Sequence, residues 1–164
     1  MFKIGDTVSC SGFGLGTILE IENQDCAGRS LNFYVVANFN RTEKIKISAQ
    51  GQSQGKIRSL PLNKEVGEIL LILNGQKLTS IEGTNRTFYI NLVKMFKTGS
   101  LENTALVVRS MAEKTKTRKL RVEERKLFDK AIAQLVEEMS FVQNADAATT
   151  EQLVYSTLGI GPLK

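Results

Sequence analysis

The hydrophobic period of this chain changes once, near residue 60, and that change constrains the fold more than any motif does. Before it, short runs rich in β-branched and aromatic residues stand between Gly, Asn and Asp. These are Thr7–Cys10, Thr17–Glu22, Asn32–Phe39 (NFYVVANF) and Lys44–Ser48 (KIKIS). Runs of this length with turn residues between them are the pattern of short antiparallel strands. After residue 60, apolar residues recur at steps of three and four, the period of an amphipathic helix. A strand-only half followed by a helix-only half makes the class α+β rather than α/β.

Four strands and their turns over 1–60 predict a small barrel of the Tudor or SH3 type. In KIKIS, Lys44 and Lys46 share one face, as on an edge strand protected from accidental pairing. Residues 49–63, AQGQSQGKIRSLPLN, read as a polar link between units. Residues 61–164 predict a compact all-α domain of about five helices. Val66, Ile69, Leu70 and Leu73 mark the first, which Asn74-Gly75 ends. Phe88, Leu92, Met95 and Phe96 mark a helix over Arg86–Lys97, and Leu101, Ala105, Val108, Met111 and Ala112 one over Leu101–Lys114. Gly99-Ser100 lies between these two as a helix-ending glycine and an N-cap serine. Val122–Val142 holds the clearest 3.6-residue period, and Asp146 caps a last helix ending near Leu158-Gly159.

The stretch SGFGLGTILEIE places glycine at 12, 14 and 16. A phosphate cradle needs a helix N-terminus directly after its glycines. Here Thr17-Ile18-Leu19-Glu20-Ile21-Glu22 favours an extended chain, so the glycines are expected to serve a bend between strands and a close backbone approach. Histidine is absent, which removes the commonest general base and metal ligand. Cys10 and Cys26 alone suit neither a zinc site nor a redox pair and are expected to be reduced thiols. No constellation of carboxylates or lysines suggests catalysis, and no cofactor or metal is expected. The longest apolar run, Ile69–Leu73, is too short to span a bilayer, and the N-terminus lacks the pattern of a signal region. A cytoplasmic protein is the expectation.

The net charge of +5 is unevenly spread. Residues 86–130 carry twelve Lys or Arg against five Asp or Glu, residues 131–164 one against four, and the first 85 are nearly balanced. A basic block of this kind is the electrostatic footprint of a polyanion-binding surface, and also the count of a solvated helical face.

FKIGDTVSCSGFGLGTILEIE, NFYVVANF, KIKIS and GKIRSL, in that order, resemble the N-terminal domain of the CarD/CdnL family, a module shared with the transcription-repair coupling factor. LVKMFKTGS, LVVRSM and LRVEERKLFDKAIAQLVEEM resemble the same family's C-terminal domain. The resemblance implies that 1–60 is a Tudor-like domain that binds bacterial RNA polymerase at its β subunit, partly by strand pairing. It implies that 61–164 contacts promoter DNA weakly and with little sequence preference, holding the open complex. It implies a monomeric, non-catalytic regulator without membrane contact, brought to the nucleoid by the polymerase.

Carried over residue by residue, the polymerase-facing candidates are Lys46 first, then Lys44 and Arg41, with Phe33 and Tyr34 as weaker ones, since Phe33 or Tyr34 is expected in the core. The DNA-facing candidates are Arg86, Phe88, Lys97, Arg125 and Lys126. Arg125 and Lys126 stand near the start of a helix, where cations oppose the macrodipole unless an anion such as phosphate is present. Lys114, Lys116, Arg118, Lys119 and Arg121 form a denser basic run that fits either a further DNA contact or, by preference, a flexible basic connection between helices, and Arg109 reads as a residue that holds the helical domain together. The family's groove-wedging tryptophan has Asn85 in its place. Phe88 fits two roles, a substitute wedge or part of the buried helix face. Arg121 replaces the family's capping serine. The alternative function is a protein-only adaptor on the polymerase that has lost the DNA wedge.

Overall fold

The computed structural model describes residues 1–26, 28–39, 42–50, 56–77, 81 and 85–162. The chain divides into two compact units, Met1–Leu60 and Pro61–Lys164.

The first unit is a Tudor-like antiparallel sheet of five strands: β1 (Thr7–Cys10), β2 (Gly14–Cys26), β3 (Arg29–Asn38), β4 (Lys44–Ser48) and β5 (Ile57–Ser59). Their order is β4-β3-β2-β1-β5, so β4 and β5 are the edges. Alternate residues of the central strands turn Val8, Ile18, Tyr34 and Val36 into a shared core with Cys10, Ile47 and Ile57. The Phe2 ring meets Tyr34 edge to face, 5.8 Å between centroids. Burial pushes the Cys10 thiol up to about 11, partly offset by the charge of Arg58, so it packs as a protonated small hydrophobe.

The glycine stretch resolves into two separate tasks. Gly12, at φ +81°, turns the chain from β1 into β2, and Phe13 N–H donates to the Cys10 carbonyl at 3.0 Å. Gly16 lies inside β2, opposite Asn38. A Cβ there would stand 2.6 Å from both the Ala37 carbonyl oxygen and Val36 Cγ1. A strand, not a helix, follows Gly16, so this stretch offers no helix N-terminus to an anion.

Two sequence expectations needed correction. β2 runs well past Glu22, because Asn23–Cys26 pair with Arg29–Asn32 in a long hairpin although Asn23, Gln24 and Asp25 are exposed. The stretch read as a polar link contains β5, whose Ile57, Arg58 and Ser59 pair with Cys10, Ser9 and Val8. Ile57 anchors this three-residue strand by its burial in the core.

The second unit holds five helices: α1 (Asn63–Leu73), α2 (Asn85–Lys97), α3 (Leu101–Thr115), α4 (Val122–Gln143) and α5 (Ala147–Leu158). Leu92 of α2, Val108 and Met111 of α3, Phe128, Leu135 and Met139 of α4, and Leu158 of α5 meet in one core with Leu73 of α1. Each such side chain contributes about 1.5–3 kcal/mol of burial. The ends follow the capping chemistry of the sequence. Ser100 accepts from Asn103 N–H at 3.4 Å to open α3, and Asp146 accepts from Thr149 N–H at 3.0 Å to open α5. Gly99 and Gly159 take positive φ after α2 and α5. Among the described residues, no helix is long and apolar enough to cross a membrane.

Candidate interaction surfaces

The hydrogen bonds of the β3–β4 ladder decide which backbone groups of β4 are committed. Ala49 N–H donates to the Asn32 carbonyl at 2.8 Å and Asn38 N–H to the Glu43 carbonyl at 3.2 Å. In an antiparallel pair, bonded and non-bonded residue pairs alternate. The register Tyr34↔Ile47 and Val36↔Ile45 therefore carries the inward bonds, while Lys44, Lys46 and Ser48 turn their N–H and C=O groups to the free edge. The same residues put their side chains on the outer face, opposite the buried Ile47.

On that face Lys46 forms an ion pair with Glu22 of β2, and its ammonium stands 5.0 Å from the Phe33 centroid. Of the two aromatics Phe33 and Tyr34, one or the other of which the sequence placed in the core, Phe33 is the outward one. It faces Glu22 across the ladder, on the outer side of the sheet, while Tyr34 takes the core position. Lys44 is exposed at the same edge. Arg41 lies outside the described residues.

The helical unit carries the basic block. Arg125 Nε donates to both carboxylate oxygens of Asp129, at 2.8 and 3.0 Å, and Lys126 lies 3.4 Å from Glu123. The cations at the start of α4 thus have local counter-charges one turn away, and the dipole conflict is met inside the protein. Lys97 is exposed in the last turn of α2, where a cation is favourable. Arg86 belongs to the first turn of α2, and its side chain lies outside the described residues. Phe88 is 6% exposed in the helical core, which is the second of the two roles its spacing allowed; as a wedge it would have to leave that core.

The connection between α3 and α4, read from sequence as flexible, is tied down. Arg118 grips Glu124 with two bonds, 2.8 Å from Nη1 and 2.7 Å from Nη2. Glu124 is only 3% exposed and also accepts from Arg121 N–H at 2.8 Å. The Arg118 guanidinium, helped by the Arg121 N–H, holds the Glu124 carboxyl down at about 2 against the opposing effect of burial. Glu124 thereby caps α4, since the Arg121 side chain has no acceptor to offer. Nothing in a six-residue separation signalled this pair, because the intervening turn brings it together.

Arg109 has the structural role read from sequence. Its Nη1 donates to the Leu73 carbonyl at 3.0 Å, closing the C-terminus of α1, and it pairs with Glu113. Gly75 leaves room for it, since a Cβ there would stand 2.9 Å from Arg109 Nη2. Lys114 was not singled out alone in the sequence, yet its ammonium lies 4.1 Å from the Phe88 centroid. Among the described residues, Lys94, Lys97, Lys119, Arg121 and Lys130 are exposed cations with no paired carboxylate. No group of three or more Cys, Asp or Glu is placed to hold a metal ion among those residues.

A Tudor-like sheet with β4 at its edge, followed by a five-helix unit bearing a basic block, defines a two-part α+β protein. Residues 68–155, more than half of the chain, match the family described as CarD, C-terminal domain. The chain belongs to the CarD/CdnL family of transcription regulators, a family associated with RNA polymerase.

Proposed function

We propose that this protein is a non-catalytic regulator that docks on the RNA polymerase β subunit through β4 and touches promoter DNA through its helical unit, holding the open complex. The observation that carries the polymerase contact is the free edge of β4. Among the described residues, three successive outward positions of β4 offer unpaired backbone groups to an added strand. Lys44 and Lys46 beside them supply charge for an acidic partner face, with Arg41 the neighbouring candidate.

The DNA contact is supported by the basic block, with one change of emphasis. Arg125 and Lys126 remain candidates but must exchange Asp129 and Glu123 for phosphate. Lys97, with Arg86 on the same helix, carries no such exchange cost among described carboxylates. Phosphate contacts of this kind give affinity without sequence reading. A monomer in the cytoplasm, recruited to the nucleoid by the polymerase, is the form in which this acts.

The paired state of Arg125 and Lys126 and the missing tryptophan favour a second reading, an adaptor that binds the polymerase alone. A promoter footprint made with polymerase, with and without this protein, separates them. Extended protection upstream of the melted region supports DNA contact; an unchanged footprint with retained polymerase binding supports the adaptor.

A further inference from the structure

Within the helical unit, the end of α1, α2 and the second half of α3 surround a cleft of about 570 Å³. This lies within the ordinary range for small-molecule sites. Its apolar wall is formed by Ile72, Phe88 and Leu106, and its polar wall by Lys77, Arg109 and Lys114. Two of the three cations already have partners. Lys77 is 2.7 Å from Glu68, and Arg109 is held by the Leu73 carbonyl and Glu113. Lys114 is different. Among the described residues its ammonium is paired with no carboxylate and lies instead over the Phe88 ring.

We propose that this cleft binds a small aromatic or aliphatic anion, a carboxylate or phosphate ester with an apolar body, using Lys114 as the charge partner and the Ile72, Phe88 and Leu106 wall for the body. Charge complementarity selects this class. Among the described lining residues Glu113 is the one acid, against three cations, and Glu113 is already shared by Arg109 and Lys116. An ammonium set against an aromatic face is partly stripped of water, so an incoming anion meets it at a reduced desolvation cost. Ser110 adds a hydroxyl to the same lining for a further bond to the anionic head, while the Thr117 hydroxyl is held by the Lys114 carbonyl at 3.1 Å. A ligand seated here would lie against α2, the helix that carries Arg86 and Lys97.

The test uses the full chain and two probes of the same shape, 2-naphthoate and neutral 2-naphthalenemethanol, titrated while backbone amide resonances are followed by NMR. The carboxylate is expected to shift Ser110, Lys114 and Thr117 and to bind roughly tenfold more tightly than the alcohol, the weight of one charge-assisted contact. Lys114→Met is expected to abolish that difference while leaving the alcohol unchanged, and Ser110→Phe, which fills the cleft, to abolish both. Equal affinity for the two probes, a preference that survives Lys114→Met, or binding that survives Ser110→Phe would overturn the proposal. Polymerase binding is expected to be the same in all three proteins, so the outcome is independent of the function proposed above.

Discussion

Arg118 and Glu124 give the molecule a pH dependence that can be isolated. Glu124 has a folded pKa of about 2 against an ordinary value of 4.5, so its pairing stabilises the fold fully above pH 4.5. That contribution is lost as the pH falls from there towards 2, and at neutral pH it is on the order of 3 kcal/mol. Chemical denaturation of wild type and Glu124→Gln across this window is expected to show the stability gap between them shrinking as the pH drops. A gap constant with pH would mean that the pair is not formed. Gly16 is a second single-residue test. Its Cβ would meet the backbone of β3 rather than a movable side chain, so Gly16→Ala is expected to cost about 1–3 kcal/mol in the same assay.

At the scale of elements, α4, a helix of 22 residues, has an N-cap side chain that makes no capping bond. Arg121→Ser is expected to raise stability by about 0.5–1 kcal/mol, through the new cap and the removal of a cation from the positive end of the helix. Thermal unfolding checks this. The helices were legible because each carries its own evidence, an apolar stripe with a cap or a glycine at the end. β1 and β4 were legible for the same reason. β5 was not, because three residues hold no period and their stability comes from β1, which is distant in sequence. The far half of the β2–β3 hairpin was missed because its polar residues are held by backbone pairing that leaves no apolar trace. The candidate surfaces follow the same rule. The lysines of β4 and the basic block can be read from composition, whereas Arg118–Glu124, Lys114–Phe88 and the outward turn of Phe33 depend on contacts that only the folded chain creates.

At the scale of the whole molecule, each unit has its own core, and the boundary falls after β5 rather than before it. A fragment of residues 1–60 is expected to unfold cooperatively, whereas one of residues 1–50, which lacks β5 and the buried Ile57, is expected to lose that transition. Circular dichroism during heating distinguishes the two. DNA affinity, carried by phosphate contacts, is expected to fall linearly on a log–log plot against salt. Lys97→Ala should lower both the affinity and the slope, and a slope of zero would remove DNA from the function.

The central claim is that β4 lends its free edge to the polymerase, and binding of the full chain to purified RNA polymerase, measured by surface plasmon resonance, tests it most directly. Lys46→Pro removes an outward N–H while leaving the ladder to β3 intact, and Lys46→Glu reverses the charge beside it. The account predicts that wild type binds and that both variants bind at least about tenfold more weakly, the loss of one or two interface hydrogen bonds. Wild-type affinity in both variants, with the fold intact by circular dichroism, would contradict it.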